Sequence, residues 1–203
     1  MKQFRTILAP VTSEQKIQRS RFLCFLFPIH SVFEAQELLS EHQKAYANAT
    51  HNCHAYIHGF MQETKYYSDA GEPHGSAGKP MLNALLRNDL TNVLAIVTRY
   101  YGGVKLGVKG LIAAYGGAVE EAIQAAELTI ALPQVRIRIR TEYAQVEKIT
   151  AFVKDLAREV IATEWGAEVS LTIRLPESGS EQLQEFLDGL RAHSSIDYQM
   201  EKE

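Results

Sequence analysis

Apolar and polar positions alternate along the chain between two-residue and helical spacing, and the changes of period mark its elements. Phe22-Leu-Cys-Phe-Leu-Phe27 is a continuous apolar run behind Arg19 and Arg21, closed by Pro28, and reads as a strand. Ser31 can cap a helix, with Glu34 three positions on as a capping-box partner. Val32, Phe33, Leu38 and Leu39 form its expected buried face, and it should end near Tyr46–Asn48. Residues 49–59 read as a strand with His54, Tyr56 and His58 on one face and His51, Cys53, Ala55 and Ile57 on the other. Thr64-Lys-Tyr-Tyr67 is its expected hairpin partner across a turn near Gly59–Glu63. Pro80 suits the first turn of a helix whose stripe is Met81, Leu82, Leu85 and Leu86. Residues 92–98 are nearly all apolar and β-branched, the pattern of a central strand buried on both faces of a mixed α/β sheet. A helix starting near Leu106–Lys109 then places Leu111, Ile112, Tyr115, Val119 and Ile123 at helical spacing, to about Glu127. Within it, Gly116-Gly117 point to close packing against another element or to a kink.

The pattern resets at Leu132-Pro133, which predicts two domains, residues 1–132 and 133–203. In the second, Val135, Ile137 and Ile139 alternate with Arg136, Arg138 and Arg140, a half-buried strand. A helix over about Tyr143–Arg158 follows, with Val146, Ile149, Phe152, Val153 and Leu156 as its core stripe. Strands over Val160–Trp165 and Glu168–Leu175, a helix over Ser180–Arg191 and a last strand carrying Ile196, Tyr198 and Met200 complete the order βαββαβ, that of a ferredoxin-like plait. Such a sheet sets its first and last strands side by side. That brings Asp197, Gln199 and Glu201 against the three arginines, so the stripe reads as an ion-paired surface before it reads as an RNA-binding one.

Composition narrows the classes. The 203 residues are 46% hydrophobic and 22% charged, ordinary for a globular protein. No run of about 18 apolar residues predicts a membrane span, and the first residues lack the apolar core of a signal peptide, so a cytoplasmic location is expected. Net charge is −3, divided between +1 over residues 1–134 and −4 over the rest, so binding to phosphate would depend on local patches. Cys24 and Cys53 offer no disulfide framework or paired zinc spacing and read as reduced core residues. The histidines do not suggest a metal site either. On one strand face His54 and His58 stand roughly 13 Å apart, too far to share an ion. No metal or cofactor is expected, and of the histidines only His51, at its strand's start, stays a candidate.

The candidate chemistry concentrates in Ser68–Gly117. A polar loop, Ser68-Asp-Ala-Gly-Glu-Pro-His-Gly-Ser-Ala-Gly-Lys-Pro80, is followed by the apolar helix and central strand, and then by Arg99-Tyr-Tyr-Gly-Gly-Val-Lys-Leu-Gly-Val-Lys-Gly110. A buried strand, a turn at Gly102-Gly103 and a helix starting near Leu106–Lys109 present unpaired N–H groups and a positive dipole end to any anion. Arg99, Lys105 and Lys109 add charge beside that end, Tyr100 and Tyr101 offer rings, and Asp69, Glu72 and Lys79 stand on the first loop. The turn is neither a Walker loop nor a dinucleotide fingerprint, so it specifies no nucleotide.

Three of these stretches, Ala49-Thr-His-Asn-Cys-His-Ala-Tyr56, Gly71-Glu-Pro-His-Gly-Ser-Ala-Gly-Lys-Pro80 and Arg99-Tyr-Tyr-Gly-Gly-Val-Lys-Leu-Gly107, resemble the signatures of the IMPACT/YigZ family, and the resemblance covers essentially the whole chain. It implies an N-terminal ribosomal protein S5 domain 2-like α/β domain and a C-terminal plait similar to a terminal domain of elongation factor G, an α+β fold in two domains. Eukaryotic members act in translational control by competing for the activator of a starvation-response kinase. They carry an extra N-terminal interaction domain that is not in this sequence, so that partnership is not carried over. Bacterial members look like translation-associated or nucleic-acid-binding proteins. Two positions depart from the family pattern. Ala70 replaces the second Asp of Asp-Asp-Gly-Glu-Pro, which weakens a paired-carboxylate mechanism. Val108 and Lys109 replace a Thr-Gly pair, which adds a positive charge where an anion would sit.

The expectation is therefore a translation-associated regulatory protein that binds RNA or the ribosome. Arg99, Lys105 and Lys109 would pair with phosphate and Tyr100 or Tyr101 would stack on a base. The alternatives are an enzyme acting on a phosphate-containing substrate, with Asp69 or Glu72 as general base, and a protein-binding adaptor. No catalytic set is assigned, and the sequence fixes no oligomeric state.

Overall fold

A computed structural model describes residues 4–155 and 159–202. The chain divides into two compact units, residues 1–131 and 132–203.

In the first unit β1 (Arg5–Ile7), β2 (Val11–Ile17) and β3 (Ser20–Pro28) lead into α1 (Val32–Ala45), then β4 (His51–His58) and β5 (Thr64–Ser68). The polar loop delivers α2 (Gly78–Arg87), and β6 (Val93–Tyr100), α3 (Gly107–Ala125) and β7 (Leu128–Ile130) complete the unit. Five strands form one sheet in the order β2-β3-β6-β4-β5, and β1 pairs with β7 beside it. Every ladder in the sheet is antiparallel, and β6 is its central strand, as expected of the apolar run at 92–98. The run is apolar throughout because β6 is central and helices cover both faces. Ala95 and Val97 share a core with Cys53, Ala55, Leu85 and Tyr115, while Leu94 and Ile96 meet Tyr56 and Ala35 on the α1 side.

Ser31 caps α1 as expected, its Oγ accepting the Glu34 N–H at 3.0 Å. The Glu34 carboxylate takes the His30 N–H at 2.7 Å, one residue earlier than a standard capping box. Two apolar assignments need correction. Phe33 is 67% exposed and Ile112 42% exposed. At 100° per residue Ala35 and His42 define the inner stripe of α1, and Leu111, Ala114, Ala118 and Ala122 that of α3, leaving Phe33 and Ile112 off it. Gly116 is buried with Pro80 of α2 beside it, in line with close packing between helices.

The second unit runs β8 (Gln134–Thr141), α4 (Tyr143–Asp155), β9 (Glu159–Trp165), β10 (Val169–Pro176), α5 (Ser180–Arg191) and β11 (Ile196–Lys202). Its sheet, ordered β11-β8-β10-β9 with all neighbours antiparallel, is the expected plait. Arg140 stands opposite Asp197, Arg138 opposite Gln199 and Arg136 opposite Glu201, the juxtaposition expected of the stripe. Val135, Ile137 and Ile139 face the core with Leu183 and Leu187 of α5. Leu156 and Arg158, assigned to α4 from the sequence, lie outside the described residues. Among the described residues, no helix is long and apolar enough to cross a membrane.

Candidate functional site

The first glycine loop is organised by Asp69. Its carboxylate accepts the N–H groups of Gly75 (2.7 Å), Ala77 (3.1 Å) and Gly78 (2.8 Å). Ala77, the N-cap of α2, makes no capping bond with its own side chain, so Asp69 satisfies that helix end from eight and nine residues upstream. Burial alone would raise the Asp69 pKa, but the three N–H donors outweigh it and hold the carboxyl below its usual range. The folding is tight. A Cβ on Gly78 would lie 2.6 Å from the Ser68 carbonyl oxygen, which only glycine avoids. Asp69 is thus fully engaged in loop closure, not poised as a general base.

The closed loop turns Glu72 inward. The two-residue period of β6 sends Arg99 to the same side as Val97, toward α2 and α3, directly opposite His51 of β4. There the Arg99 Nη1 lies 2.5 Å from Glu72 Oε1, with side-chain exposures of 6% and 3%. The Tyr115 hydroxyl of α3 donates to the same oxygen at 2.7 Å. The guanidinium also lies 5.3 Å from the Tyr101 ring centre and 5.4 Å from that of Phe22, while its Nε is buried without a partner among the described residues. His51 bonds the Ala70 carbonyl through Nδ1 at 2.9 Å and brings Nε2 to 3.9 Å from Glu72 Oε1. Arg99 was expected to meet phosphate as a free cation. Its charge is instead committed inside the fold, because a buried guanidinium needs a counterion.

The two glycine loops face one cleft of about 410 Å³. Glu72 and Pro73 come from the first loop, and Arg99, Tyr101, Lys105, Leu106, Gly107, Val108 and Leu111 from the second and from α3. Gly102 allows the second loop to pass close to the β2–β3 turn, since a Cβ there would fall 2.0 Å from the Arg19 carbonyl oxygen. The Gly102 N–H donates to Ser20 Oγ at 3.2 Å. Gly103 and Gly107 take φ of +83° and +69° and bend the chain into α3. The first turn of α3 holds no acidic residue and its N-cap makes no side-chain bond, so its N–H groups stay open to an anion. Lys105 lines the cleft, and Lys109 is exposed on the first turn of α3.

Two candidates fall elsewhere. Tyr100, one residue after Arg99, points to the opposite sheet face, where its hydroxyl donates to Asn48 Oδ1 at 3.1 Å and the Arg21 guanidinium sits 5.8 Å from its ring centre. Lys79 lines a separate groove between α2 and α3 with Asn83, Arg87 and Ile112. Helical spacing marks Tyr115 only as core and gives no sign of its hydroxyl's role, nor of Ser20, which accepts from Arg99 Nη2 at 3.5 Å. The signal available for Tyr115 was a phenol in an otherwise aliphatic helix stripe, since buried Tyr O–H groups usually find a partner. Burial raises both thiol pKa values, Cys53 to about 12. Among the described residues, no group of three or more His, Cys, Asp or Glu side chains could hold a metal ion.

Comparison with known proteins gives two domain matches. The Impact N-terminal domain matches residues 18–123, and a domain of unknown function (DUF1949) matches residues 139–190. The chain is 34% identical to IMPACT family member YigZ of Escherichia coli (strain K12) over 170 residues, covering 83% of each. To IMPACT family member YvyE of Bacillus subtilis (strain 168) it is 47% identical over 107 residues, covering 53% of this chain and 49% of that one. A crystal structure of a hypothetical protein, 30% identical, superposes with a TM-score of 0.66 over 97% of both chains.

Proposed function

The chain belongs to the IMPACT family, and on that footing we propose that it is a cytoplasmic, translation-associated regulatory protein that binds RNA, ribosomal RNA included, through the cleft between its two glycine loops. The observation that carries this reading is the cleft itself. Two loops separated by a helix and a strand converge on one concavity beside the open N-terminus of a 19-residue helix. Lys105 and Lys109 supply cations for phosphate, and Tyr101, 43% exposed, supplies a ring for a base. Arg99 and Glu72 set the floor and neutralise each other, so the carboxylate does not repel a polyanion. The roles first given to Arg99, as a phosphate ligand, and to Asp69, as a base, pass to the lysines and to loop closure.

This reading is favoured over an enzyme in the same cleft. The two carboxylates available as general bases are held by three backbone N–H groups and by Arg99 with Tyr115.

The test is a salt series of binding to single-stranded RNA and to ribosomes. The Lys105→Ala/Lys109→Ala variant should weaken association and lower the slope of log K against log salt by about 1 per lysine. An unchanged slope and affinity would remove the cleft from RNA binding. Recovery of a protein partner alone would favour the adaptor reading.

A further inference from the structure

We propose that the cleft takes a single unstacked nucleotide of the bound strand and prefers a base bearing an exocyclic amino group, as in cytosine, adenine or guanine, over uracil. The proposal rests on the RNA-binding reading above and names the ligand of that same site. Size comes first. A cleft of about 410 Å³ lies near the lower end of the roughly 300–1,000 Å³ of small-molecule sites, room for about one nucleotide. Its lining is mostly apolar, with Tyr101 as the aromatic wall and Pro73, Val108 and Leu111 among the aliphatic ones. Lys105 and the open N–H groups of α3 are placed for the phosphate.

The preference comes from Glu72. Its side chain is 97% buried yet lines the cleft. Both of its hydrogen bonds, from Arg99 Nη1 and Tyr115 O–H, converge on Oε1. Oε2 accepts no hydrogen bond among the described residues and is not one of the fully buried unpartnered atoms, so it stands as an open acceptor at the wall of an apolar slot. Water can solvate that oxygen while the cleft is empty, and a ligand donor would take the water's place with a charge-assisted hydrogen bond. An ionised carboxylate can only accept, so it matches an amino group on a base edge. The single donor of uracil, N3–H, is flanked by two carbonyl oxygens that would be brought against the carboxylate.

The test compares oligocytidylate with oligouridylate of equal length, and oligoadenylate with oligoinosinate, by fluorescence anisotropy at low salt on the full chain. The amino-bearing member of each pair should bind about tenfold more tightly, the effect of one hydrogen bond to a charged group. Tyr101→Ala, at an exposed ring outside the Glu72 bonds, should weaken all four while keeping the ratios. Glu72→Gln, which keeps the shape and turns an acceptor into a donor, should bring the ratios to about one or invert them. If that variant does not fold, the wild-type ratios in the two pairs decide the matter. Equal affinities within both pairs, with Tyr101→Ala weakening all four, would overturn the amino preference and leave the RNA-binding reading standing. Ratios unchanged in a folded Glu72→Gln protein would overturn Glu72 as the reader. Wild-type protein that binds none of the four would overturn this proposal and the RNA-binding reading together.

Discussion

Replacing Glu72 with glutamine tests whether the buried ion pair holds the two glycine loops in place. The substitution keeps the volume and one acceptor but removes the only carboxylate among the described residues within ion-pair distance of Arg99, whose side chain is 6% exposed. Removing one partner of a buried pair costs about 3–5 kcal/mol, because the remaining charge has lost its solvation and its counterion. The lower end applies here. The amide oxygen can still accept a hydrogen bond, and the Tyr101 and Phe22 rings, each within 5.4 Å of the guanidinium carbon, retain about 1 kcal/mol of cation–π attraction. A loss of about 3 kcal/mol shifts a urea midpoint down by about 1.5 M if the slope is near 2 kcal/mol per M. Trp165 lies in residues 132–203, so far-ultraviolet dichroism and amide exchange in β3, β4 and β6 should be followed instead of its fluorescence. A Glu72→Gln/Arg99→Met double variant should recover at least about 1 kcal/mol relative to the sum of the single changes. A Glu72→Gln cost below about 1 kcal/mol, with no coupling to Arg99, would show that the pair is not the tie between the loops.

Two further outcomes follow from the same unit. His42 is buried between α1 and the sheet, with Nε2 2.7 Å from Thr98 Oγ1, and that hydroxyl donates onward to Asn52 Oδ1 at 2.8 Å. The Thr98 proton is therefore spent on Asn52, which makes His42 the donor through Nε2–H. Burial lowers its pKa to about 4, below the unfolded value near 6.5, so the unfolded chain binds more protons between those limits. This contribution is fully present above about pH 6.5 and is lost as pH falls to about 4; His42→Gln should flatten that part of a stability–pH profile from urea melts. Glycine substitutions should separate by their surroundings: Gly102→Ala, which meets the Arg19 backbone, should cost about 2–3 kcal/mol, whereas Gly117→Ala, with no atom within 4 Å, should gain about 0.5–1 kcal/mol in thermal or urea unfolding.

Much of the architecture was legible because it depends on period. The plait followed from apolar positions at two-residue and helical spacing, down to the opposition of Arg140 and Asp197. The hairpin of β4 and β5 was visible in the same way. Phe33 and Ile112 were misassigned because hydrophobicity was counted without fixing the angular position of each residue on its helix, and Ala35, too small to stand out, marks the true inner face of α1. Strands β1 and β7, three residues each, were too short to show any alternation.

The site was legible as a location but not as a set of contacts, and Arg99 shows the physical reason. On the sequence it is a cation at the end of an apolar strand beside two glycines, which describes a phosphate ligand and a buried ion-pair partner equally well. The deciding fact is that β6 directs residue 99 toward α3 and residue 100 away from it, so adjacent residues with the same apparent role take opposite ones. A second fact is equally non-local. Asp69 closes its loop onto the N–H groups of residues 75, 77 and 78, and that closure delivers Glu72, three residues on, to Arg99 and Tyr115. Ala70 therefore removes no carboxylate that the loop closure uses, although at φ +44° an aspartate would sit more easily than alanine. Its missing carboxylate would have made a pair only in sequence, whereas the pairing the fold uses joins residues 27 and 43 positions apart. The acid, the arginine and the phenol form a preset floor, and the groups left to meet a ligand are the ones the floor does not consume: Glu72 Oε2, the Tyr101 ring, Lys105 and the first turn of α3.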